Sequence, residues 1–168
     1  MRNIVLVGFM GTGKTEVARM LSRRLGMKYV STDDLIEEKE KSSISEIFSE
    51  KGEGYFRKAE KDAVKTASLT ENAVIDAGGG VVIDPENVKN LMKKGTLICL
   101  WAEPETILER TEKYSHRPLL KVRRPLGKIK ELLAERRPFY ERAGYHINTS
   151  RIPVEKVADE AERIMKNA

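Results

Sequence analysis

The sequence predicts a three-layer α/β protein in which helices cover both faces of a five-stranded parallel sheet. Short apolar runs without alternation recur along the chain, as expected of parallel strands buried on both faces. Segments with apolar residues at helical spacing separate these runs. Strands that alternate with helices in this way form a parallel sheet. A glycine-rich motif, GFMGTGKT at residues 8–15, also lies between the first run and the first helical segment.

Each predicted strand is a short segment between turn or helix signals, and the first, third and fourth segments are mainly apolar. The run nearest the N-terminus leads directly into the glycine-rich motif, and the third is followed by three consecutive glycines. In chain order, the five predicted strands span residues 3–7, 27–30, 73–76, 96–101 and 145–148.

The helices are predicted from apolar periodicity and from residues that begin or end helices. Gly26 and Gly95 are placed to end helices, whereas Ser43 and Glu46 form a capping box that begins one. Pro138 is expected to kink or break the helix that contains it. In chain order, the predicted helices span residues 15–25, 34–41, 43–52, 55–69, 85–94, 104–113, 126–142 and 153–166.

The length and composition are those of a single globular domain. The chain has 168 residues, 40% apolar and 34% charged, which is enough to form one core and argues against extended disorder. No apolar stretch approaches the length of a membrane span, and the N-terminal run is too short for a signal peptide. We therefore expect a cytoplasmic protein without a membrane segment, and we also expect it to be a monomer. Cys99 lies within an apolar run and is expected to be a buried, inert thiol.

The glycine-rich motif has the pattern and the strand-to-helix context of a P-loop. Glycines let backbone N–H groups approach a polyphosphate, and the helix N-terminus adds a favourable dipole. The motif predicts ATP binding by Gly11, Thr12, Gly13, Lys14 and Thr15, with Lys14 at the β- and γ-phosphates and the Thr15 hydroxyl as a direct Mg²⁺ ligand. A P-loop does not identify the acceptor, because switches, motors and metabolic kinases all contain one.

Further motifs, in order and spacing, resemble those of the shikimate kinase family over essentially the whole chain. They are Asp33 after the second strand, Phe56-Arg57, the glycines at 78–80, RPLL at 117–120, and Arg136 before Pro138 and Tyr140. The resemblance implies the strand order 2-3-1-4-5 and a reaction that converts ATP and shikimate to ADP and shikimate 3-phosphate. It also implies one domain over residues 1–168, with a substrate-binding helical segment at about 33–61 and a lid at about 112–125.

The residue types at these positions suit the roles that the resemblance implies. Asp33 follows a parallel strand, where open α/β sheets bind ligands, and its carboxylate could orient the acceptor hydroxyl and accept its proton. A helix N-cap is the alternative for Asp33. Arg57 and Arg136 are implied to bind the carboxylate of shikimate through bidentate guanidinium contacts. Gly79 and Gly80 are implied to lie near its hydroxyls.

The resemblance also implies contacts to the nucleotide outside the P-loop. Arg117, in the lid, would stabilise charge on the transferring phosphoryl group, as arginine fingers do. Lid closure would exclude water as a competing acceptor. Arg110 and Pro153 are implied to flank the adenine ring.

One position departs from the family pattern. Many members have two carboxylates spaced two residues apart after the second strand, but Ser31 occupies the first of these positions here. We expect Asp76, which ends an apolar run as a Walker B acid does, to contact the hydrated Mg²⁺ through water, together with Asp33. Magnesium brought with ATP is the only metal expected.

Charge leaves a second class of function open. The segment 110–142 has eleven Lys/Arg against four Asp/Glu, within a chain of net charge +5. Such a segment could bind nucleic acid in a non-catalytic P-loop module. The nearest enzymatic alternative is another small-molecule kinase, acting on gluconate or a nucleoside monophosphate. A basic lid explains the same charge, so we expect ATP and shikimate as partners and no nucleic acid.

Overall fold

The computed structural model describes residues 2–113 and 122–168. Five strands form one sheet with the order β2-β3-β1-β4-β5, and every pairing is parallel. The predicted fold class and strand order are therefore confirmed. The strands are β1 (Asn3–Val7), β2 (Lys28–Ser31), β3 (Ala73–Asp76), β4 (Gly95–Trp101) and β5 (Tyr145–Asn148).

Seven α-helices within the described residues connect and cover these strands. A short 3₁₀ helix, Val81–Ile83, follows β3. The α-helices are α1 (Lys14–Leu25), α2 (Thr32–Glu40), α3 (Ile44–Leu69), α4 (Pro85–Lys94), α5 (Pro104–Thr111), α6 (Pro125–Tyr140) and α7 (Val154–Asn167). No helix among these described residues combines the length and the apolar character that crossing a membrane requires.

Several helix boundaries differ from the predicted ones, and three of these differences have identifiable reasons. Helix α2 begins two residues early because Ser31 caps it, with its Oγ accepting from the Asp34 N–H at 3.1 Å. The two helices predicted on either side of Gly52 run on as α3, which has non-helical geometry (φ 82°, ψ 171°) at that glycine. Helix α6 continues through Pro138 and ends at Tyr140, because a proline in the last turn removes only one terminal hydrogen bond.

The core consists of two apolar layers, one on each face of the sheet. Alternate residues of β1 point to opposite faces: Ile4 and Leu6 belong to the layer with α1 and α7, whereas Val5 and Val7 belong to the layer with α3, α4 and α6. All four side chains are fully buried. Burial of β1 on both faces fixes the strand whose carboxyl end leads into the P-loop.

A smaller apolar cluster lies between α2 and α3, away from the main sheet. Ile36 from α2 packs with Ile47 and Phe56 from α3, and these three side chains are at most 5% exposed. The cluster gives the α2–α3 segment its own packing. It thereby holds this segment beside the carboxyl ends of β1 and β3, where ligands bind in open α/β sheets.

Candidate active site

The P-loop connects β1 to the first turn of α1. Gly13 is the N-cap of α1 in a left-handed conformation (φ 91°, ψ 15°), so the helix begins at Lys14. Gly8 has φ +141°, and a Cβ there would overlap the carbonyl oxygen of Leu100 on β4. Only glycine combines this conformation with this close approach. The loop is therefore packed tightly against the neighbouring strand.

Side-chain donors engage the carbonyl oxygens of the P-loop. Lys14 Nζ donates to Gly8 O at 2.8 Å and to Phe9 O at 3.0 Å, and Thr12 Oγ1 donates to Phe9 O at 2.8 Å. Thr149, just past β5, donates through Oγ1 to Thr12 O at 2.8 Å. These bonds fix the loop from both its own residues and the distant β5 end.

A groove beside the P-loop, here called the Arg110 groove, runs towards α7. Arg110 donates through Nη1 to Gly11 O at 3.2 Å and through Nη2 to Thr149 O at 2.6 Å. Pro153 lies between Ile152 and Val154. The groove is lined by residues 11–17, Arg19, Arg110, Thr111, Lys113, Thr149, Ile152, Val154 and Val157.

Asp76, the last residue of β3, accepts hydrogen bonds from two hydroxyl groups. Thr15 Oγ1 donates to Asp76 Oδ2 at 2.6 Å, and the Tyr29 hydroxyl donates to the same oxygen at 3.1 Å. Burial, reinforced by the Asp76 carboxylate, raises the pKa of Tyr29 to about 12. Asp76 thus joins the first turn of α1 to strands β2 and β3.

A cavity of about 390 Å³, here called the Asp33 cavity, opens between the P-loop, β3 and the α2–α3 segment. It brings the acidic and basic candidates to one place. The cavity is lined by Met10, Lys14, Thr15, Arg19, Tyr29, Ser31, Asp33, Asp34, Glu37, residues 43–45, Phe48, Phe56, Arg57, Glu60, residues 76–80 and Arg136.

Arg57 is positioned in this cavity by two carboxylates on its own helix. Its Nη1 lies 2.8 Å from Glu60 Oε1 and its Nη2 lies 3.2 Å from Glu53 Oε1. Glu60 is only 2% exposed, and burial raises the pKa of its carboxyl while the Arg57 guanidinium opposes that shift. The pair points the guanidinium into the cavity and gives the buried acid a cationic partner.

Arg136 enters the cavity from α6 on the opposite side. It is 6% exposed, and its guanidinium carbon lies 5.5 Å from the centre of the Phe9 ring. The nearby Tyr140 hydroxyl donates to Gly79 O at 2.6 Å, and the Gly78 N–H donates to Thr32 Oγ1 at 2.9 Å. These contacts hold the glycine turn after β3 against both α2 and α6.

The structure brings together most of the residues that the sequence singled out. Lys14, Thr15, Asp33, Arg57, Asp76, Gly79, Gly80 and Arg136 all line the Asp33 cavity. Gly11, Thr12, Gly13, Lys14, Thr15 and Arg110 line the adjoining Arg110 groove. Pro153 is the N-cap of α7 at the edge of that groove. Arg117 and most of the expected lid lie outside the described residues.

Sequence reasoning missed Glu60 and Tyr29. Glu60 follows Arg57 by three residues on a helix, a spacing that places two side chains on one face and could have indicated the pair. Tyr29 gave no comparable signal, because its partner Asp76 is 47 residues away along the chain. Asp33 is not the N-cap of α2, since Ser31 takes that position.

Comparison with protein families identifies relatives over nearly the full chain. The family model described as shikimate kinase matches residues 10–166. A shikimate kinase of Caldanaerobacter subterraneus subsp. tengcongensis is 49% identical over 163 residues, which cover 97% of this chain and 95% of that protein. A shikimate kinase of Thermodesulfovibrio yellowstonii is 45% identical and covers 99% and 94%.

Solved structures show the same similarity in three dimensions. Shikimate kinase from Acinetobacter baumannii in complex with shikimate superposes with a TM-score of 0.95 at 33% identity, covering 99% of this chain and 94% of that one. A gluconokinase from Sinorhizobium meliloti reaches a TM-score of 0.65 at 15% identity, with 99% and 94% covered. At that identity the second likeness concerns the fold alone.

Proposed function

The chain belongs to the shikimate kinase family and is an ATP-dependent kinase of shikimate, and we propose that it transfers the γ-phosphoryl group to the 3-hydroxyl. The products are then shikimate 3-phosphate and ADP. The observation that supports this most directly is that Arg57, Arg136 and Asp33 line the same cavity as Lys14 of the P-loop. A carboxylate clamp, a general base and a phosphate site are thereby within one small volume.

Arg57 and Arg136 are proposed to bind the shikimate carboxylate from two sides of the cavity. Both guanidinium groups stay charged at any physiological pH and match a carboxylate in geometry. Burial strengthens such contacts because little water competes with them. Gly79 is proposed to let the ring approach the backbone, whereas the missing side chain at Gly80 leaves space for the Arg57 guanidinium.

Asp33 is proposed to orient the 3-hydroxyl and to accept its proton during transfer. It lies in the first turn of α2, where the helix dipole favours a carboxylate. The nucleophile is an alcohol, so transfer needs positioning in line with the leaving group more than a strong base. The segment at about 33–61 is proposed to form the substrate-binding part of a single domain.

Lys14 and the P-loop amides are proposed to hold the β- and γ-phosphates, with the nucleotide base in the Arg110 groove. Lys14 Nζ lies at the loop carbonyls, at the junction of the groove and the cavity. Arg110 and Pro153 are proposed to flank adenine. Arg117 is proposed to stabilise charge on the transferring phosphoryl group from the lid at about 112–125. The protein as a whole is proposed to act as a cytoplasmic monomer.

The oxygen donors at the end of β3 suit Mg²⁺. Magnesium prefers hard oxygen ligands, keeps several waters and relies on few protein side chains. Thr15 Oγ1 and the Asp76 carboxylate meet this description, and the described residues contain no cluster of three or more His, Cys, Asp or Glu that would favour another metal. We propose Thr15 as the direct ligand and Asp76, with Asp33, as contacts through water. Bound there, Mg²⁺ would neutralise charge on the phosphates.

The activity is tested by ADP release from ATP and Mg²⁺ with shikimate, gluconate, CMP or quinate as acceptor. We expect release to depend on shikimate and to fall in Arg136→Ala. The matched control is Arg137→Ala, because Arg137 is the next residue on α6 but its side chain is 78% exposed and pairs with Glu141. Acceptor-independent hydrolysis, or preference for another acceptor, would contradict the proposal.

A further inference from the structure

Tyr29 is a residue outside the P-loop whose side chain contacts the proposed metal-binding carboxylate. It lies on β2, and the register pairs Tyr29 with Val74 and Ser31 with Asp76. Tyr29 is therefore two residues before the position directly opposite Asp76 and shares its face of the sheet. A tyrosine is long enough to span this diagonal between neighbouring strands.

Ser31, directly opposite Asp76, is engaged elsewhere. Its Oγ accepts from the Asp34 N–H as the cap of α2. The hydroxyl that reaches Asp76 Oδ2 from β2 is instead that of Tyr29.

Two further contacts restrict the Tyr29–Asp76 pair. Arg19, one turn after Thr15 on α1, places its guanidinium carbon 5.4 Å from the centre of the Tyr29 ring, within the range of a cation–π contact. Asp76 is only 7% exposed, and Thr15 and Tyr29 both donate to its Oδ2. A carboxylate with two donors on one oxygen has little rotational freedom, and its Oδ1 is the oxygen that neither hydroxyl occupies.

We propose that Tyr29 is a positioning residue that fixes the Asp76 carboxylate for binding of the hydrated Mg²⁺ that accompanies ATP. The proposal rests on the role proposed above for Asp76. In this proposal Tyr29 acts on the metal only through its hydrogen bond to Asp76.

The test compares Tyr29→Phe with the wild-type chain in its binding of Mn²⁺ to the complex with ADP, followed by electron paramagnetic resonance. Loss of a direct outer-shell partner of a metal ligand commonly weakens metal affinity about 10- to 100-fold. Tyr29 is one contact further from the metal than such a partner, because Asp76 is proposed to contact the metal through water. We therefore expect Mn²⁺ to bind about three- to tenfold more weakly to Tyr29→Phe than to wild type. ADP binding in EDTA, measured by calorimetry, should stay unchanged, because Tyr29 does not line the Arg110 groove.

Two variants separate the possible outcomes. Tyr145→Phe makes the same chemical change on β5 at the other edge of the sheet and should leave Mn²⁺ binding unaltered. Asp76→Asn should weaken Mn²⁺ binding, and adding Tyr29→Phe to it should cause no further loss. If Asp76→Asn has its effect but Tyr29→Phe has none, or lowers only the melting temperature, the role of Tyr29 is refuted. If Asp76→Asn also has none, the metal role of Asp76 fails as well.

Discussion

Replacing Gly80 with alanine is expected to weaken shikimate binding by displacing Arg57. A Cβ built at Gly80 would lie 2.6 Å from the guanidinium carbon of Arg57 and 2.7 Å from its Nη2. Carbon atoms in ordinary contact are about 3.5–4.0 Å apart, so the guanidinium has to move by about 1 Å. Gly80 has φ −97° and ψ 0°, which alanine can adopt, so the backbone need not change.

The magnitude follows from the hydrogen bonds that a displaced guanidinium cannot make. A hydrogen bond to a charged group contributes about 1.5–3 kcal/mol, and a shift of about 1 Å takes it outside bonding distance. We therefore expect the KM for shikimate to rise about 10- to 150-fold. The KM for ATP should hardly change, because Gly80 lies away from the Arg110 groove. Steady-state kinetics with each substrate varied in turn measures both values.

A double-variant cycle decides whether Arg57 transmits the effect. If Gly80→Ala acts by moving Arg57, adding it to Arg57→Ala should have little further effect on the KM for shikimate. An equal effect in both backgrounds would refute the reasoning, because the new methyl group would then obstruct the substrate itself. An unchanged KM in the single variant would refute it as well.

Three further predictions concern stability and reactivity. Ser43→Ala removes the capping box of α3, so the free energy of unfolding in urea should fall by about 1 kcal/mol. An unchanged value would show that the cap contributes nothing. Burial raises the pKa of Cys99 to about 11, so its thiol should react with Ellman's reagent at neutral pH only after unfolding. The stability that the neutral thiol contributes should be lost as the pH rises through about 11. Burial also raises the pKa of Glu60, so this carboxyl holds its proton more tightly in the folded chain than in the unfolded chain. Wild type should therefore lose stability relative to Glu60→Gln as the pH rises from acidic to neutral. A difference that shrinks over that range would contradict the sign.

Local signals in the sequence were sufficient for most of the fold. The bounds predicted for β1, β3 and β5 are those observed. Strands β1 and β3 are mainly apolar runs that a glycine-containing turn follows. The start of α2 predicted at residue 34 lies two residues after the observed start, which the cap at Ser31 sets. Its capping role depends on backbone geometry that residue type alone leaves open.

The candidate site was predicted where motifs exist and missed where contacts are purely tertiary. Lys14, Asp33 and Arg57 belong to motifs, and the structure places them around one cavity. Tyr29 reaches Asp76 only because β2 and β3 are neighbours in a particular register. Such a contact depends on strand pairing between distant segments, and no periodicity within either segment indicates it.

The hydrogen bonds to the P-loop carbonyls have a consequence for the thermodynamics of nucleotide binding. Lys14, Thr12, Thr149 and Arg110 together occupy the carbonyl oxygens of residues 8, 9, 11 and 12. A loop held in this way loses its conformational entropy when the chain folds, rather than when a ligand arrives. Preorganisation of this kind removes an entropic penalty from each catalytic cycle.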